Sequence, residues 1–315
     1  MIHSRWRGDG RRLRAGFIRA EDRAPFPLPV FPWREKGNRS VAFRTGFDLP
    51  PVALTIAGSD SGGGAGVQAD LKTFCAFGVY GASVITALTA QNTVGVQGVH
   101  GVPPDFIALQ FDSVCGDLPV AAAKVGMLAT AEIVEVVARK VREHRLERLV
   151  VDPVMVAKSG DRLLAPEARE ALIRELLPLA EVLTPNTEEA RDLLGGGPIG
   201  GIEEMKEAAR ALHRLGPRHV LVKGGHITRG AADVLFDGRE IAVLGGRHVD
   251  TPHTHGTGCT LSSAIAAGLA LGRPVREAAA AAKEYIQGAI ESALPLGKGR
   301  GPLNHMYRSV QRMSA

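Results

Sequence analysis

From residue 52 onwards, short apolar segments alternate with longer segments of helical periodicity. The short segments predict strands at 52–57, 82–89, 123–127, 148–152, 181–184 and 219–223. The longer segments predict helices at 67–77, 103–115, 131–144, 166–177, 203–215 and 277–293, with two more beginning near Thr187 and after Gly256. Alternating strands and helices form a mainly parallel sheet with helices on both faces, so the predicted fold class is α/β. Segments 232–236 and 241–244 flank an Asp-Gly pair and predict a β-hairpin.

The basic surplus of the chain is confined to its first 51 residues. That segment carries 11 Lys and Arg against 5 Asp and Glu, whereas the remainder carries 27 basic and 28 acidic residues. The segment is rich in proline and has no sustained periodicity, which is typical of disordered chain. We therefore divide the chain into a basic, Pro-rich extension at 1–51 with no part in the chemistry, and one large domain at 52–315.

The composition excludes several classes of protein. A near-neutral body gives little support to nucleic-acid binding, and no apolar run is long enough to span a bilayer. The three cysteines Cys75, Cys115 and Cys259 lie far apart and match neither a metal-binding spacing nor a disulfide framework. We expect a cytoplasmic protein without a nucleic-acid or membrane partner.

A second constraint is the small-residue turn Gly256-Thr257-Gly258-Cys259, which an apolar, Ala-rich helix follows at once. The first N–H groups of a helix lack intrahelical partners and lie at the positive end of its dipole, so such a turn binds anions, most often phosphate. The thiol of Cys259 lies in the same first turn, where a thiolate would be stabilised. The alternative is a turn that only interrupts the chain before a helix.

The first strand is followed by the glycine-rich segment 58–66. Its G-x-G-x-x-A pattern formally fits a dinucleotide-binding fingerprint, which requires an acidic residue at the end of the next strand. That strand ends instead in Gln91 and Asn92, so nicotinamide binding is disfavoured. An amide offers both a donor and an acceptor and suits the edge of a neutral heterocycle. Asp70, on the first helix, either interacts with the helix dipole or accepts hydrogen bonds from a ligand amino group.

Polar side chains stand at the ends of several predicted strands. They are Gln91, Lys124, Asp152, Asn186 and Lys223. In parallel α/β sheets, ligands bind outside the carboxyl ends of the strands. These five positions therefore predict a binding site at one edge of the sheet.

Together, seven motifs resemble one family. They are A-G-S-D-S-G-G-G-A-G-V-Q-A-D-L-K-T-F at 57–74, V-I-T-A-L-T-A-Q-N-T at 84–93, K-V-G-M-L at 124–128, D-P-V-M at 152–155, T-P-N-T-E-E-A at 184–190, V-K-G-G-H at 222–226 and H-G-T-G-C-T-L-S-S-A at 255–264. The chain resembles the hydroxymethylpyrimidine/phosphomethylpyrimidine kinases of thiamine biosynthesis, in the ribokinase-like superfamily. The resemblance covers about residues 52–308, and residues 1–51 match nothing in the family.

The resemblance implies a three-layer α/β/α sandwich and an ATP- and Mg²⁺-dependent kinase. The implied reactions are phosphorylation of 4-amino-5-hydroxymethyl-2-methylpyrimidine and then of its monophosphate to the diphosphate. The implied partners are these small molecules and ATP, and the implied assembly is a homodimer.

The resemblance also implies roles for individual residues. Gly58, Asp70 and Gln91 match positions that contact the pyrimidine, with Thr89 near it. Asn186 and Glu189 match an N-x-x-E pattern that helps to hold magnesium and phosphate, and Asp152, Lys223 and Asn186 match the nucleotide side. Gly256, Thr257, Gly258 and Cys259 match the anion hole. Cys259 stands where most of the superfamily has an aspartate base, so our hypothesis is that Cys259 takes the proton of the acceptor hydroxyl.

Two other functions are weighed against this one. Pyridoxal kinase activity on the same scaffold would favour an acid at position 259, and a catalytically silent pyrimidine sensor would need neither the anion hole nor the N-x-x-E pattern.

Three histidines lie close together in the sequence before the anion turn, His248, His253 and His255. They fit no usual zinc spacing, and we do not expect a metal there. His226 is expected to be loop structure or a substrate contact. Segment 297–301, G-K-G-R-G, is a phosphate-facing closure or a C-terminal turn, and we favour the turn.

Overall fold

The computed structural model describes residues 49–155, 165–225 and 231–308. The extension at 1–51 lies outside these ranges except for its last three residues, and its assignment stays a prediction. His226 also lies outside the described residues, so its expected role stays a prediction. Among the residues described, no helix is both long enough and apolar enough to cross a membrane.

The main sheet has eight strands in the order β10-β9-β8-β7-β6-β5-β1-β2. The strands of the chain are β1 Val52–Ala57, β2 Tyr80–Ile85, β3 Ala87–Gln91, β4 Val96–Gly101, β5 Val120–Val125, β6 Leu149–Val151, β7 Val182–Leu183, β8 His219–Lys223, β9 Asp233–Phe236 and β10 Ile241–Leu244. Strands β2, β1, β5, β6, β7 and β8 are parallel, whereas β9 and β10 form the expected antiparallel hairpin. The mainly parallel sheet predicted from the sequence is confirmed.

Helices cover both faces of this sheet. They are α1 Gly66–Ala76, α2 Pro104–Cys115, α3 Ala131–Glu143, α4 Pro166–Ala171, α5 Thr187–Leu194, α6 Ile202–His213, α7 Thr257–Ala270 and α8 Val275–Glu291. A π-helical turn at Leu172–Leu176 and a 3₁₀ turn at Leu177–Leu179 continue α4, where the sequence predicts one helix over 166–177.

Two buried apolar layers hold the helices to the sheet. Successive residues of a strand point to opposite faces, so Leu149 and Val151 pack with helices α2–α6, whereas Val150 packs with α1, α7 and α8. Phe74 of α1 and Tyr285 of α8 are fully buried on that second face. The result is the three-layer α/β/α sandwich.

The predicted strand at 82–89 is wrong, because the chain leaves the main sheet within it. Thr86 donates its N–H to Ala57 and its hydroxyl to the Met127 carbonyl, and the chain then turns into β3. Strand β3 pairs antiparallel with β4 in a separate two-stranded sheet, the β3–β4 hairpin. The sequence analysis missed β4, because its residues are mostly exposed and carry no apolar periodicity. Gln91 therefore lies at the end of a hairpin, outside the main sheet.

Candidate active site

The anion turn, Gly256–Cys259, begins helix α7 and requires glycine at its first position. Gly256 is the N-cap, with a φ of 83° in the left-handed region. A Cβ atom there would overlap the carbonyl oxygen of Gly64 in the glycine loop, Gly58–Gly66. The two glycine segments are therefore in direct backbone contact, and the free N–H groups of α7 begin at that point.

Gly258 faces a buried ammonium–carboxylate pair. A Cβ atom at position 258 would lie 3.3 Å from Lys223 Nζ and 3.7 Å from Asp152 Oδ2. Lys223 Nζ is 2.7 Å from Asp152 Oδ1 and 3.8 Å from Glu189 Oε2. Burial opposes the charge of Lys223, but these two carboxylates outweigh it and raise the pKa of the ammonium. Asp152 Oδ2 is buried and has no hydrogen-bond partner among the residues that the structure describes.

Asn186 and Glu189 form the capping box of α5. The Asn186 side chain accepts a hydrogen bond from the Glu189 N–H at 2.8 Å, and Glu189 Oε2 accepts one from the Asn186 N–H at 2.7 Å. The helix predicted to begin near Thr187 does begin there, with Asn186 as its N-cap. The N-x-x-E spacing is itself a capping signal, since a residue at the N-cap and one at N3 satisfy each other's backbone N–H. Burial raises the pKa of Glu189 to about 7, with Lys223 opposing and Asp152 adding to the shift.

The surroundings of Cys259 favour its thiol form. Burial raises the pKa of its thiol to about 11. The Lys124 ammonium opposes this shift, whereas the Asp70 and Asp152 carboxylates add to it. The helix N-terminus therefore does not by itself stabilise a thiolate here, contrary to our expectation from the sequence.

Asp70 is fully buried in a network of hydrogen bonds. Its oxygens accept hydrogen bonds from Thr55 Oγ1 at 2.6 Å, from Ser263 Oγ at 2.6 Å and from Lys124 Nζ at 2.9 and 3.1 Å. These contacts join α1 to β1, β5 and α7. Asp70 also forms a buried ion pair with Lys124, and its expected contact with the pyrimidine stays a prediction. Lys124, expected at a strand end, lies inside β5 with no exposed surface.

Thr89 and Gln91 attach the end of the β3–β4 hairpin to the glycine loop. Thr89 Oγ1 donates to the Ser59 carbonyl at 2.8 Å, and Ser61 Oγ accepts the Gln91 N–H at 2.8 Å. The Gln91 side-chain amide reaches His255, with 3.5 Å between the two Nε2 atoms. Because His255 precedes the anion turn directly, the structure brings Gln91 to that turn. Of the five strand-end residues, Asp152, Asn186 and Lys223 form one cluster at the sheet edge and Gln91 approaches from the hairpin.

Gly58 lies where β1 enters the glycine loop. Its carbonyl accepts a hydrogen bond from the Val67 N–H at 3.1 Å. A Cβ atom at this position would lie 2.6 Å from Met127 Cε, so a larger residue would displace Met127.

The sequence analysis did not single out Asp60, which organises the glycine loop. The Asp60 carboxylate accepts the N–H groups of Gly62, Gly64 and Ala65 and is 2.8 Å from His255 Nε2. Burial disfavours this carboxylate, but His255 and the loop amides outweigh burial and lower its pKa. An aspartate that precedes a glycine run is a known turn signal, which could have identified it.

Comparison with known proteins adds independent findings. A family model described as phosphomethylpyrimidine kinase matches residues 60–304. The hydroxymethylpyrimidine/phosphomethylpyrimidine kinase of Rhizobium meliloti is 54% identical over 263 residues, which are 82% of this chain and 98% of that protein. The thiamine biosynthesis bifunctional protein ThiED of Geobacter sulfurreducens is 55% identical over 85% of this chain, which spans 54% of that longer protein. The structure of an ADP complex of Bacillus subtilis pyridoxal kinase is similar with a TM-score of 0.78 and 43% identity, over 83% of this chain and 100% of that one.

Proposed function

This chain belongs to the phosphomethylpyrimidine kinase family, and from that premise we propose that it catalyses two phosphoryl transfers from ATP. The first acceptor is the hydroxymethyl group of 4-amino-5-hydroxymethyl-2-methylpyrimidine, and the second is the resulting monophosphate. The observation that carries the proposal is the position of the anion turn between two walls. One wall is lined by Lys223, Asp152 and Glu189. The other wall carries Gln91, whose side chain approaches His255, the residue before the anion turn.

The Lys223 wall suits the triphosphate of ATP. The N–H groups of the anion turn and the Lys223 ammonium offer positive charge to the transferring phosphoryl group, whose transition state carries charge on its equatorial oxygens. Kinases of this fold bind adenine nucleotides, as the ADP complex of the Bacillus relative indicates for that protein.

Magnesium fits the carboxylates of the same wall. Mg²⁺ prefers oxygen ligands, and the buried Asp152 Oδ2 is an oxygen without a partner among the described residues. We propose that Asp152 and Glu189 hold the ion, and that Asn186 fixes Glu189 through the capping box. When bound, Mg²⁺ supplies charge neutralisation at the phosphates.

The Gln91 wall suits a flat aminated ring. The Gln91 amide offers one donor and one acceptor to the ring edge. We propose that Thr89 and Gly58 line the pocket beside it. In the transfer, the hydroxyl oxygen of the acceptor bonds to the γ-phosphorus as the bond to the ADP oxygen breaks. The hydroxyl proton passes to Cys259 in its thiolate form. Because burial raises the pKa of this thiol to about 11, the thiolate is a minor form near neutral pH and its share rises with pH.

The assembly and location are proposals of the same kind. We propose a cytoplasmic homodimer, by resemblance to the family. Leu88 and Val99 of the β3–β4 hairpin are about half exposed, which supports an apolar contact between copies. Sedimentation equilibrium measures the mass in solution, and a monomer at every concentration contradicts the proposal.

Pyridoxal is the second candidate acceptor. The supporting observation is the 43% identity to the Bacillus pyridoxal kinase over nearly the whole described domain. A pyridine alcohol and an aminopyrimidine alcohol differ at the ring edge, so the Gln91 amide favours the pyrimidine.

The test is ADP release by the purified full chain with ATP, Mg²⁺ and one acceptor at a time. We expect turnover with the pyrimidine alcohol and with its monophosphate, at kcat/KM values above that for pyridoxal. A higher kcat/KM for pyridoxal would favour the second candidate. If none of the three acceptors supports ATP consumption, both candidates are contradicted.

A further inference from the structure

A C-terminal segment, Gly297–His305, contacts both Thr93 and the residues around the anion turn, and we call it the strap. At one end it holds Thr93, two residues after Gln91. The Gly299 N–H donates to Thr93 Oγ1 at 3.2 Å and the Arg300 N–H donates to the Thr93 carbonyl at 3.0 Å. A Cβ atom at Gly297 or at Gly299 would overlap Thr93, so both glycines are needed for this close approach.

At its other end the strap holds the residues around the anion turn. The Gly301 N–H donates to His253 Nδ1 at 3.0 Å, and the Gly301 carbonyl accepts the His255 N–H at 3.2 Å. His305 Nε2 lies 2.9 Å from Thr260 Oγ1, one residue after the anion turn. The strap is therefore bonded both to the hairpin that carries Gln91 and to the turn at the start of α7.

Besides the strap, the glycine loop joins these two parts, through Ser61 to Gln91 and through Asp60 to His255, whereas their direct contact is weak. Gln91 and His255 approach only to 3.5 Å, beyond the usual length of an N–H hydrogen bond, whereas each strap contact lies between 2.9 and 3.2 Å. Apart from the His305 side chain, the strap uses backbone groups for these contacts, and the Lys298 and Arg300 side chains are exposed. These contacts suit a spacer between the hairpin and the anion turn.

We propose that the strap sets the distance between the acceptor wall and the anion turn, with Thr93 and His253 as its positioning residues. This inference rests on the proposed function, since it concerns the alignment of the acceptor hydroxyl with the γ-phosphoryl group. Misplacement by about 1 Å costs on the order of 100-fold in such a reaction. A phosphoryl group that is bound but misaligned with the alcohol reacts with water instead, which yields ADP and inorganic phosphate.

The test compares two strap variants with a matched glycine control in the full chain. Thr93→Val keeps the side-chain shape and removes the hydroxyl, and Gly299→Ala forces a methyl group against the Thr93 carbonyl. The control is Gly200→Ala, because a Cβ atom there meets nothing within 4 Å. ADP and phosphorylated pyrimidine are measured in the same reaction, and thermal unfolding is measured for each variant.

We expect one ADP per phosphorylated pyrimidine in the wild type and in Gly200→Ala. In Thr93→Val and Gly299→Ala, phosphorylated product falls by about 10-fold or more while ADP falls less, so the ratio exceeds one. Unchanged rates in both variants would overturn the inference, as would losses that keep the ratio at one, because a merely structural role lowers both products together. A wild-type chain that forms no phosphorylated pyrimidine contradicts the proposed function itself, which distinguishes the two failures.

Discussion

At the scale of single residues, the site depends on backbone approach as much as on side-chain chemistry. Two features of Gly256 exclude a side chain there: its backbone is left-handed, and a Cβ atom would overlap Gly64. Gly272 has a similar φ of 78°, but a Cβ atom there would meet nothing within 4 Å. The two positions therefore separate backbone strain from steric collision.

Gly256→Ala is expected to lower kcat/KM by about 100-fold or more, because the methyl group pushes the anion turn away from the glycine loop. Gly272→Ala carries the same backbone strain, of about 1 kcal/mol, and is expected to keep kcat/KM within about twofold. Steady-state kinetics and thermal unfolding of both variants check this. Equal losses of activity in the two variants would assign the effect to strain alone.

The protonation of Cys259 is a second residue-level prediction. In a Cys75→Ser/Cys115→Ser background, alkylation of Cys259 is expected to rise with pH around a pKa of about 11, because burial disfavours the thiolate. If Cys259 is the base, kcat rises with pH over the same range, and Cys259→Ala lowers kcat by about 100-fold. An alkylation pKa below the ordinary thiol range would show a stabilised thiolate, and wild-type turnover by Cys259→Ala would remove Cys259 from the mechanism.

Residue identity alone could not separate the aspartates of the first motif. Asp60 and Asp70 lie ten residues apart, and the sequence analysis named only Asp70 as a ligand contact. In three dimensions Asp70 is enclosed by Thr55, Lys124 and Ser263, whereas Asp60 binds the loop amides and His255. Lys124 and Ser263 lie far away in sequence, so no local pattern predicts that the Asp70 oxygens are occupied.

At the scale of elements, periodicity was a good guide where one face of a segment is buried. Strand β1 matches its predicted bounds, and α2 and α3 match to within one residue. The β3–β4 hairpin could not be found this way, because β4 is exposed along most of its length and the split after β2 depends on Thr86 bonding to Met127. Periodicity does not report exposed pairing or long-range contacts, and these determine β4 and the split after β2.

His305 attaches the strap to α7, and its burial gives a stability prediction. Burial, with a smaller contribution from the Lys72 charge, lowers the pKa of His305 to about 4 from an ordinary value of about 6.5. The folded state thus binds a proton less readily than the unfolded state. Stability from this group is present above about pH 6.5 and is lost as the pH falls towards 4, by about 3 kcal/mol in full.

Urea unfolding at about pH 7 and about pH 4.5 measures this loss. The control is His305→Gln, which does not titrate and keeps a hydrogen-bonding group near Thr260. We expect the variant to lose about 2 kcal/mol less than the wild type between the two pH values. Equal losses in the two proteins would mean that the pKa of His305 is the same in the folded and unfolded states.

At the scale of the whole molecule, the basic surplus and the family match occupy different parts of the chain. The basic surplus lies in the first 51 residues, and the family model starts at residue 60. The parallel order of the sheet followed from strand and helix alternation, whereas the meeting of the glycine loop, the strap and the anion turn depends on packing between distant segments.

Removal of residues 1–48 is expected to leave kcat/KM within about twofold of the full chain, because residues from Leu49 onward form a compact unit of their own. The measurement is acceptor-dependent ADP release by both proteins at equal concentration of folded protein. A loss of about 10-fold or more would give the extension a part in catalysis or substrate entry.

The central claim is that the anion turn transfers the terminal phosphoryl group of ATP to the pyrimidine alcohol twice in succession. Mass spectrometry of products from ATP carrying ¹⁸O on its γ-phosphate tests it most directly, with Mg²⁺ and the alcohol as the only other reactants. The account predicts labelled pyrimidine monophosphate first and then the diphosphate with label in both phosphate groups. Labelled inorganic phosphate and ADP, with the pyrimidine alcohol recovered unchanged, would contradict it.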